Sequence, residues 1–329
     1  MTGPFRYTDP LPPGAATGVT ADVYAQLATD FGIEGASAFV VLSASPPLLT
    51  GAWALVRESL LAGRTSRTDK QVVAAGVSLA NRCPFCVDAH TVLLHATGDH
   101  RLAEVIARGE VPADPGHAAL LAWAKGTRTG EAGEPPFPAA HAPEFIGTAL
   151  AFHFINRVVS SLLTETMLPG NVQRYRLVRS LAGRSLSRTV RRELAPGASL
   201  GLLETSGPEP AWAAGAPAGT AYAALRAAAR QGAGLLSEED RAYVRDAVAA
   251  SGGGHPALTG DWLPARDERP GARLALLAAL APYRLTDEDV AAWRGPHHTD
   301  HCLVHLVAYG AITATERVEA ALATDKEPV

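Results

Sequence analysis

Asn81-Arg82-Cys83-Pro84-Phe85-Cys86-Val87-Asp88-Ala89-His90 decides how this 329-residue chain is read. Two of its three cysteines stand here as C-x-x-C, and a histidine follows four residues later. Pro84 suits the first position of a helix, where a missing N–H has no partner to lose. Cys83 then lies near the N-cap and Cys86 in the first turn. Both thiols sit close to the positive end of the helix dipole, which favours thiolates. His90 is i+4 from Cys86 and i+7 from Cys83, so the spacing predicts one shared helix face. Two thiols and a base on one face serve redox chemistry, hold a metal or simply pack. The stretch alone leaves all three open.

Outward from it, the patterns are helical. Thr68 to about Asn81 predicts a helix with Val72, Val73, Gly76, Val77 and Ala80 as its buried stripe. Thr68-x-x-Gln71 fits a capping box, which gives Gln71 a structural role. The small Gly76 and Ala80 allow a neighbouring helix to come close. The cysteine helix runs to about Ala96 and Gly98 closes it; His95 and His100 fall off the thiol face and read as surface or loop residues. Further helices are expected at 19–31, 48–61, 102–107 and 118–125. Phe145 to Leu168 is the longest apolar segment, stopped by Pro169-Gly170. It carries His153, Asn156 and Arg157, read as a polar face at a subunit contact or along the active-site cleft. Residues 171–193, with seven arginines from Arg174 to Arg192, read as a solvated basic helix or two. Helices at 221–231, 237–250, 272–280, a short one capped by Thr286 and a last one at 300–322 complete the chain.

Hydrophobic residues make up 47% and charged residues 19%, enough for a sizeable core and against global disorder. Abundant alanine with few aromatics leans helical. A net charge of −4 offers no overall basic field for nucleic acid or an anionic membrane. No charged-then-apolar leader is visible and no apolar run approaches ~18 residues, so a soluble, cytoplasmic protein is expected. In that compartment a close cysteine pair is catalytic or metal-binding rather than a disulfide staple.

Pro, Gly and Ala from Pro196 to Pro217 mark a boundary. The expected domains are an extended arm at 1–18, a domain at 19–205 with the cysteine motif, and a domain at 206–329 that repeats it in worn form. Each half has a capped helix, a short Ala/Leu helix and a long helix with a polar-Arg pair, Asn156-Arg157 and Glu316-Arg317. The second half has Ser251-Gly-Gly-Gly where the first has C-x-x-C.

At these residues the chain resembles the carboxymuconolactone decarboxylase/AhpD-like superfamily. The C-x-x-C-x-x-x-H of Cys83, Cys86 and His90 is most similar to the alkylhydroperoxidase D and peroxidase-related branch. Ser45-Pro46-Pro47-Leu48 with Trp53, and the segment from Ala149 to Val159, are similar to its N-terminal and long C-terminal helices. The resemblance covers residues 20–200 well and 215–325 faintly. It implies an all-α, AhpD-like helical bundle of two tandem degenerate repeats that assembles as a homo-oligomer. It also implies thiol-dependent reduction of alkyl hydroperoxides, with no bound organic cofactor, re-reduced by a dithiol protein, lipoylated or thioredoxin-like. Carried over by position, Cys86 is the peroxide-attacking thiol, Cys83 the resolving one and His90 the proton-handling base. The family's relay glutamate, twelve residues before the first cysteine, is Gln71 here. A glutamine hydrogen-bonds but cannot shuttle a proton. Two other readings accompany this one: a non-catalytic or redox-sensing interaction module, and lactone chemistry of the decarboxylase type.

His297, His298, His301, Cys302 and His305 recur at helical spacing, a pattern compatible with a metal. The plainer reading is a polar helix start with Asp300 as cap, and no metal is assigned.

Overall fold

The structure, a computed structural model, describes residues 4–165, 172, 175–213 and 215–324. Fourteen α-helices occur among them: α1 Gly18–Gln26, α2 Ser37–Val40, α3 Pro46–Val56, α4 Arg67–Ala80, α5 Pro84–Thr97, α6 His100–Ala107, α7 Pro115–Gly126, α8 Ala142–Leu162, α9 Arg176–Val190, α10 Pro217–Arg230, α11 Glu238–Ala250, α12 Pro270–Leu280, α13 Asp287–Trp293 and α14 Asp300–Thr324. The one β feature among the described residues is an isolated bridge between Phe5 and Leu163. The all-α expectation holds. Leu168, Pro169, Gly170 and Arg174, named in the sequence analysis, lie outside the described residues.

The core runs through both halves of the chain as one hydrophobic cluster, from Val23 through Trp53 and Phe154 to Leu306 and Ile312. Small residues decide how closely its helices meet. A Cβ on Gly51 of α3 would lie 2.8 Å from the Leu225 Cα of α10. One on Gly76 would lie 2.8 Å from the Ala124 Cβ of α7, the close approach expected of that stripe. α8 runs through the middle, against α3, α4 and α14. By length and composition alone it is apolar enough to cross a membrane, but 94% of its most apolar window is buried in protein.

Helix starts differ from the sequence reading at one instructive point. Ser66, not Thr68, caps α4: its hydroxyl accepts from Asp69 N–H. Gln71 lies in the second turn and faces inward, so the capping-box role expected for it does not hold. The pattern was ambiguous because Ser66 and Thr68 offer competing cap oxygens two residues apart. Ser237 and Thr286 do cap α11 and α13, the latter in a full box with Asp289. The basic segment forms the single helix α9, exposed along Leu177, Leu181, Arg184 and Arg188. Arg179 breaks that pattern: it is buried, and its Nη2 pairs with Glu104 at 2.7 Å.

Gly310→Ala should lower stability by about 1–3 kcal/mol, toward the upper end, because the new Cβ would overlap the Ala275 carbonyl oxygen of α12. Gly234→Ala, with nothing within 4 Å of its Cβ, should leave stability unchanged. Thermal unfolding of the pair checks this. Equal midpoints would mean that the α12–α14 contact has room to spare.

Candidate active site

α4 ends in a Schellman motif: Arg82 N–H bonds Leu79 O at 3.1 Å and Cys83 N–H bonds Ser78 O at 3.0 Å. The left-handed residue of this motif is usually glycine. Here it is Arg82, with φ +54°, the one described non-glycine residue of positive φ. That conformation costs roughly 1–2 kcal/mol for a residue with a Cβ. The reversal delivers Cys83 directly as the N-cap of α5, with Pro84 at its first position as the sequence predicts.

The thiols then meet two residues of α8 spaced one turn apart. Ser160 hydrogen-bonds Cys83, and the Asn156 side chain hydrogen-bonds Cys86. Burial pushes the Cys83 thiol up, but hydrogen bonds from Cys86 and Ser160 outweigh it and hold it below the ordinary thiol value. Cys86 is pushed well up by its bond to Cys83, by burial and by its neighbour's charge, with Asn156 opposing. The helix dipole was expected to favour both thiolates. In a buried pair the first charge blocks the second, so the benefit goes to Cys83.

Cys86 and His90 share the wall of an apolar cavity of about 390 Å³, enclosed by Phe31, Phe39, Leu60, Phe85, Phe152 and Leu186 among others. Cys83 does not line it; Cys83 borders two other hollows, also lined by Arg82 and Pro84. The expectation of one face for all three residues therefore fails for Cys83. It precedes the first helical residue, so helical periodicity does not set its direction.

His90 packs edge-on against Phe152, with ring centroids 4.3 Å apart. Its Nδ1 lies 2.7 Å from Gln71 Oε1. A carboxamide oxygen only accepts, so Nδ1 carries the proton and Nε2 presents a lone pair. That Nε2 is buried without a hydrogen-bond partner, as is Gln71 Nε2. Burial lowers the His90 pKa to about 3. Gln71 thus reaches the site as the notional relay residue would, from the fully buried face of α4.

A polar network lies behind the thiols. His153, Asn156 and Arg157 are all buried within the chain, not on a subunit face. Asn156 Nδ2 donates to Ser78 Oγ, and its Oδ1 accepts from Asn81 Nδ2 at 3.0 Å. His153 Nδ1 faces two donors, Asn81 Nδ2 and Arg157 Nη1, each at 3.3 Å. Its proton is therefore on Nε2, directed at Thr127 Oγ1 2.8 Å away. Arg128, which the sequence did not single out, donates to Asn81 Oδ1 at 2.7 Å. It stands just past the C-terminus of α7 and no motif flags it. His95 is buried rather than exposed, because α9 covers α5 at Gly183; it pairs with Glu104 at 2.8 Å and His100 at 2.9 Å.

The C-terminal histidines do not converge on one point, although the His301 and His305 rings touch, with centroids 4.4 Å apart. His298 stacks on Trp293, His301 Nδ1 meets Ala44 O at 2.8 Å, and His305 is buried. Among the described residues no three His, Cys, Asp or Glu side chains converge as metal ligands.

The fold and the motif define an all-α protein with an AhpD-like dithiol site. The carboxymuconolactone decarboxylase family model matches residues 47–126, which span α3 to α7. Alkyl hydroperoxide reductase Rv2159c of Mycobacterium tuberculosis is 41% identical over 325 residues, covering 95% of this chain and 93% of that protein. The chain belongs to the carboxymuconolactone decarboxylase family.

His90 and His153 predict a pH signature. Burial lowers both pKa values, His153 well below its usual value with Arg157 and Arg128 adding to the effect. Both rings stay neutral in the native state, while the unfolded chain takes up protons below its histidine pKa of about 6.5. Their contribution is therefore full above that pH and drains as pH falls below it, by about 1.4 kcal/mol per unit for each ring that stays neutral. In denaturant unfolding these two rings should account for a loss of about 2–3 kcal/mol between pH 7.5 and 5.5, to which His255 and His305, each lowered to about 4 by burial, add. His153→Gln should take about 1 kcal/mol off that loss. A loss unchanged by His153→Gln would mean that the His153 ring takes up its proton in the folded state.

Proposed function

We propose that the chain reduces organic hydroperoxides through a dithiol–disulfide cycle at Cys83 and Cys86. The observation that carries this reading is the meeting of Cys86 with the unpartnered Nε2 of His90 on the wall of an apolar cavity. The name of the Mycobacterium tuberculosis relative supports it.

In the cycle, the hydroperoxide enters the cavity and Cys86 sulfur attacks its terminal oxygen. A sulfur–oxygen bond forms, the O–O bond breaks, and the alkoxide leaves as alcohol. The proton released by Cys86 passes by way of His90 Nε2 to that alkoxide. Cys86 is then a sulfenic acid. The Cys83 thiolate attacks its sulfur, the S–S bond forms, and hydroxide leaves as water with one proton from solvent. A dithiol reductant reopens the disulfide. Asn156 and Ser160 each hold one sulfur in place. Residues 206–329 enter as a repeat of 19–205 without its thiols, buttressing the site from the far side of α8.

Cumene hydroperoxide suits an apolar cavity. Mixing it with the reduced protein should remove two free thiols per chain, and Cys86→Ser should abolish that loss. An unchanged thiol count in the parent chain refutes the cycle.

Gln71→Glu places a carboxylate on His90 Nδ1–H, where it favours the imidazolium and restores a second proton carrier. Oxidation by cumene hydroperoxide should speed up by about tenfold or more, the lower end of what general acid–base catalysis contributes reaching only a hundredfold when a carrier is wholly absent. Single-turnover thiol loss measures it, and an unchanged rate would show that proton transfer does not limit oxidation.

A further inference from the structure

The two sulfurs face different surroundings. Cys86 lines the apolar cavity with His90. Cys83 lines a hollow of about 350 Å³ with Arg6, Arg82, Ser160, Glu165 and Tyr283. It also lines one of about 500 Å³ with Arg82, Asp88, Arg108 and Arg179. Phe85 borders both the apolar cavity and the first hollow and so partitions them. Glu165 and Asp88 are the acids on the polar side. Arg108 is occupied by Glu110 and Arg179 by Glu104. Arg6 donates to Leu285 O and the Tyr7 hydroxyl. Arg82 is exposed, borders both hollows, and forms no ion pair among the described residues. Arg179 borders the apolar cavity as well as the larger hollow, but Glu104 neutralises it, so an apolar peroxide favours the apolar side and an anion the side of Arg82.

We propose that oxidant and reductant use opposite doors: the hydroperoxide meets Cys86 in the apolar cavity, and an anionic thiol opens the disulfide at Cys83, drawn by Arg82. This rests on the dithiol cycle above. The reductant thiolate attacks Cys83 sulfur, a new S–S bond forms, and the Cys83–Cys86 bond breaks. Cys86 takes the bonding electron pair, beside the Asn156 side chain, and then a proton. A second reductant thiol, on the same molecule or another, attacks the reductant sulfur and releases Cys83 as thiolate. The reductant departs as a disulfide, oxidised by two electrons.

The test separates the doors from the cycle by labelling, which needs no turnover. In a Cys302→Ala background, Cys86→Ser leaves only Cys83 and Cys83→Ser leaves only Cys86. Each is alkylated with anionic iodoacetate and neutral iodoacetamide, and the rate ratio is normalised to a cysteine peptide. The ratio at Cys83 should exceed that at Cys86 by about threefold or more at low salt, the modest end of electrostatic steering. N-phenylmaleimide should favour Cys86. Arg82→Gly keeps the turn, since glycine takes φ +54° freely. It should bring the Cys83 ratio down to that of Cys86, Arg82→Glu should invert it, and neither should move labelling of Cys86. Equal ratios at the two sulfurs, or indifference to Arg82, overturn the proposal. In the disulfide form, made with diamide, mercaptoethanesulfonate should open the bond about threefold or more faster than cysteamine, and Arg82→Gly should erase that order. The reverse order overturns the choice of an anionic reductant. Labelling asymmetry without any loss of thiols to hydroperoxide would refute the cycle and leave the doors standing.

Discussion

Buried arginine charge without a carboxylate is the constraint around which this bundle is arranged. Arg128 and Arg157 are buried, and Arg317 is half-buried beside them. Among the described residues no acid bonds any of the three. Besides Asn81, His153 and His255, their partners are backbone carbonyls at helix ends. Arg157 Nε donates to Ala279 O and Arg128 Nη2 to Leu280 O, both at the end of α12. Arg317 reaches the Arg128 carbonyl just past α7. His255 Nε2 meets Ala80 O, the last carbonyl of α4, at 2.8 Å. Three helix C-termini, each with its partial negative charge and unpaired carbonyls, converge where the cations lie. The helices must end there, and nowhere else, for the guanidinium groups to be solvated by protein.

That requirement fixes the thiols. Asn81 caps α4 and joins the network through both ends of its amide, accepting from Arg128 and donating to Asn156. With Asn81 held, the next two residues complete the Schellman turn, and Cys83 falls at the start of α5. Asn156 carries the same network forward to Cys86. The strained Arg82 follows from this order of demands. The chain accepts a left-handed arginine because moving the turn by one residue would detach Asn81 from Arg128. The glycine turn of the second half packs against the same helix end through His255, which ties the distal half to the site without giving it a sulfur.

The sequence made the helices legible because apolar periodicity and cap residues are local signals. Trp53, Val72, Val77 and Phe154 fall inside where their spacing puts them. Gly76 announced its close contact by size alone. What was not legible is direction at helix ends and the partnering of polar side chains across the chain. Ser66 and Thr68 compete as caps, and only packing of α4 shows that Gln71 turns to His90. His95 looked exposed because α9, some ninety residues on, supplies its cover. Arg128 carries no motif; its importance comes from three helix ends meeting around it, a long-range fact. Cys83 and Cys86, three residues apart, open on different cavities because one precedes the helix and the other belongs to it.

Gln71 gives the site a different proton economy from one with a carboxylate there. A carboxylate beside Nδ1 would stabilise an imidazolium; a neutral carboxamide fixes the tautomer and nothing more. Burial then keeps His90 neutral, with a pKa of about 3, which in the proposed cycle suits a brief acceptor rather than a reservoir of charge. Of the two thiols, Cys83 is the one whose ionisation is favoured, because Cys86 and Ser160 both hydrogen-bond it. In the proposed cycle this division is productive. The sulfur that must wait is the one whose pKa is lowered, so it gives up its proton more readily to meet the sulfenic acid. The sulfur that must strike keeps its proton until substrate fills the cavity, which limits idle oxidation of a buried thiol.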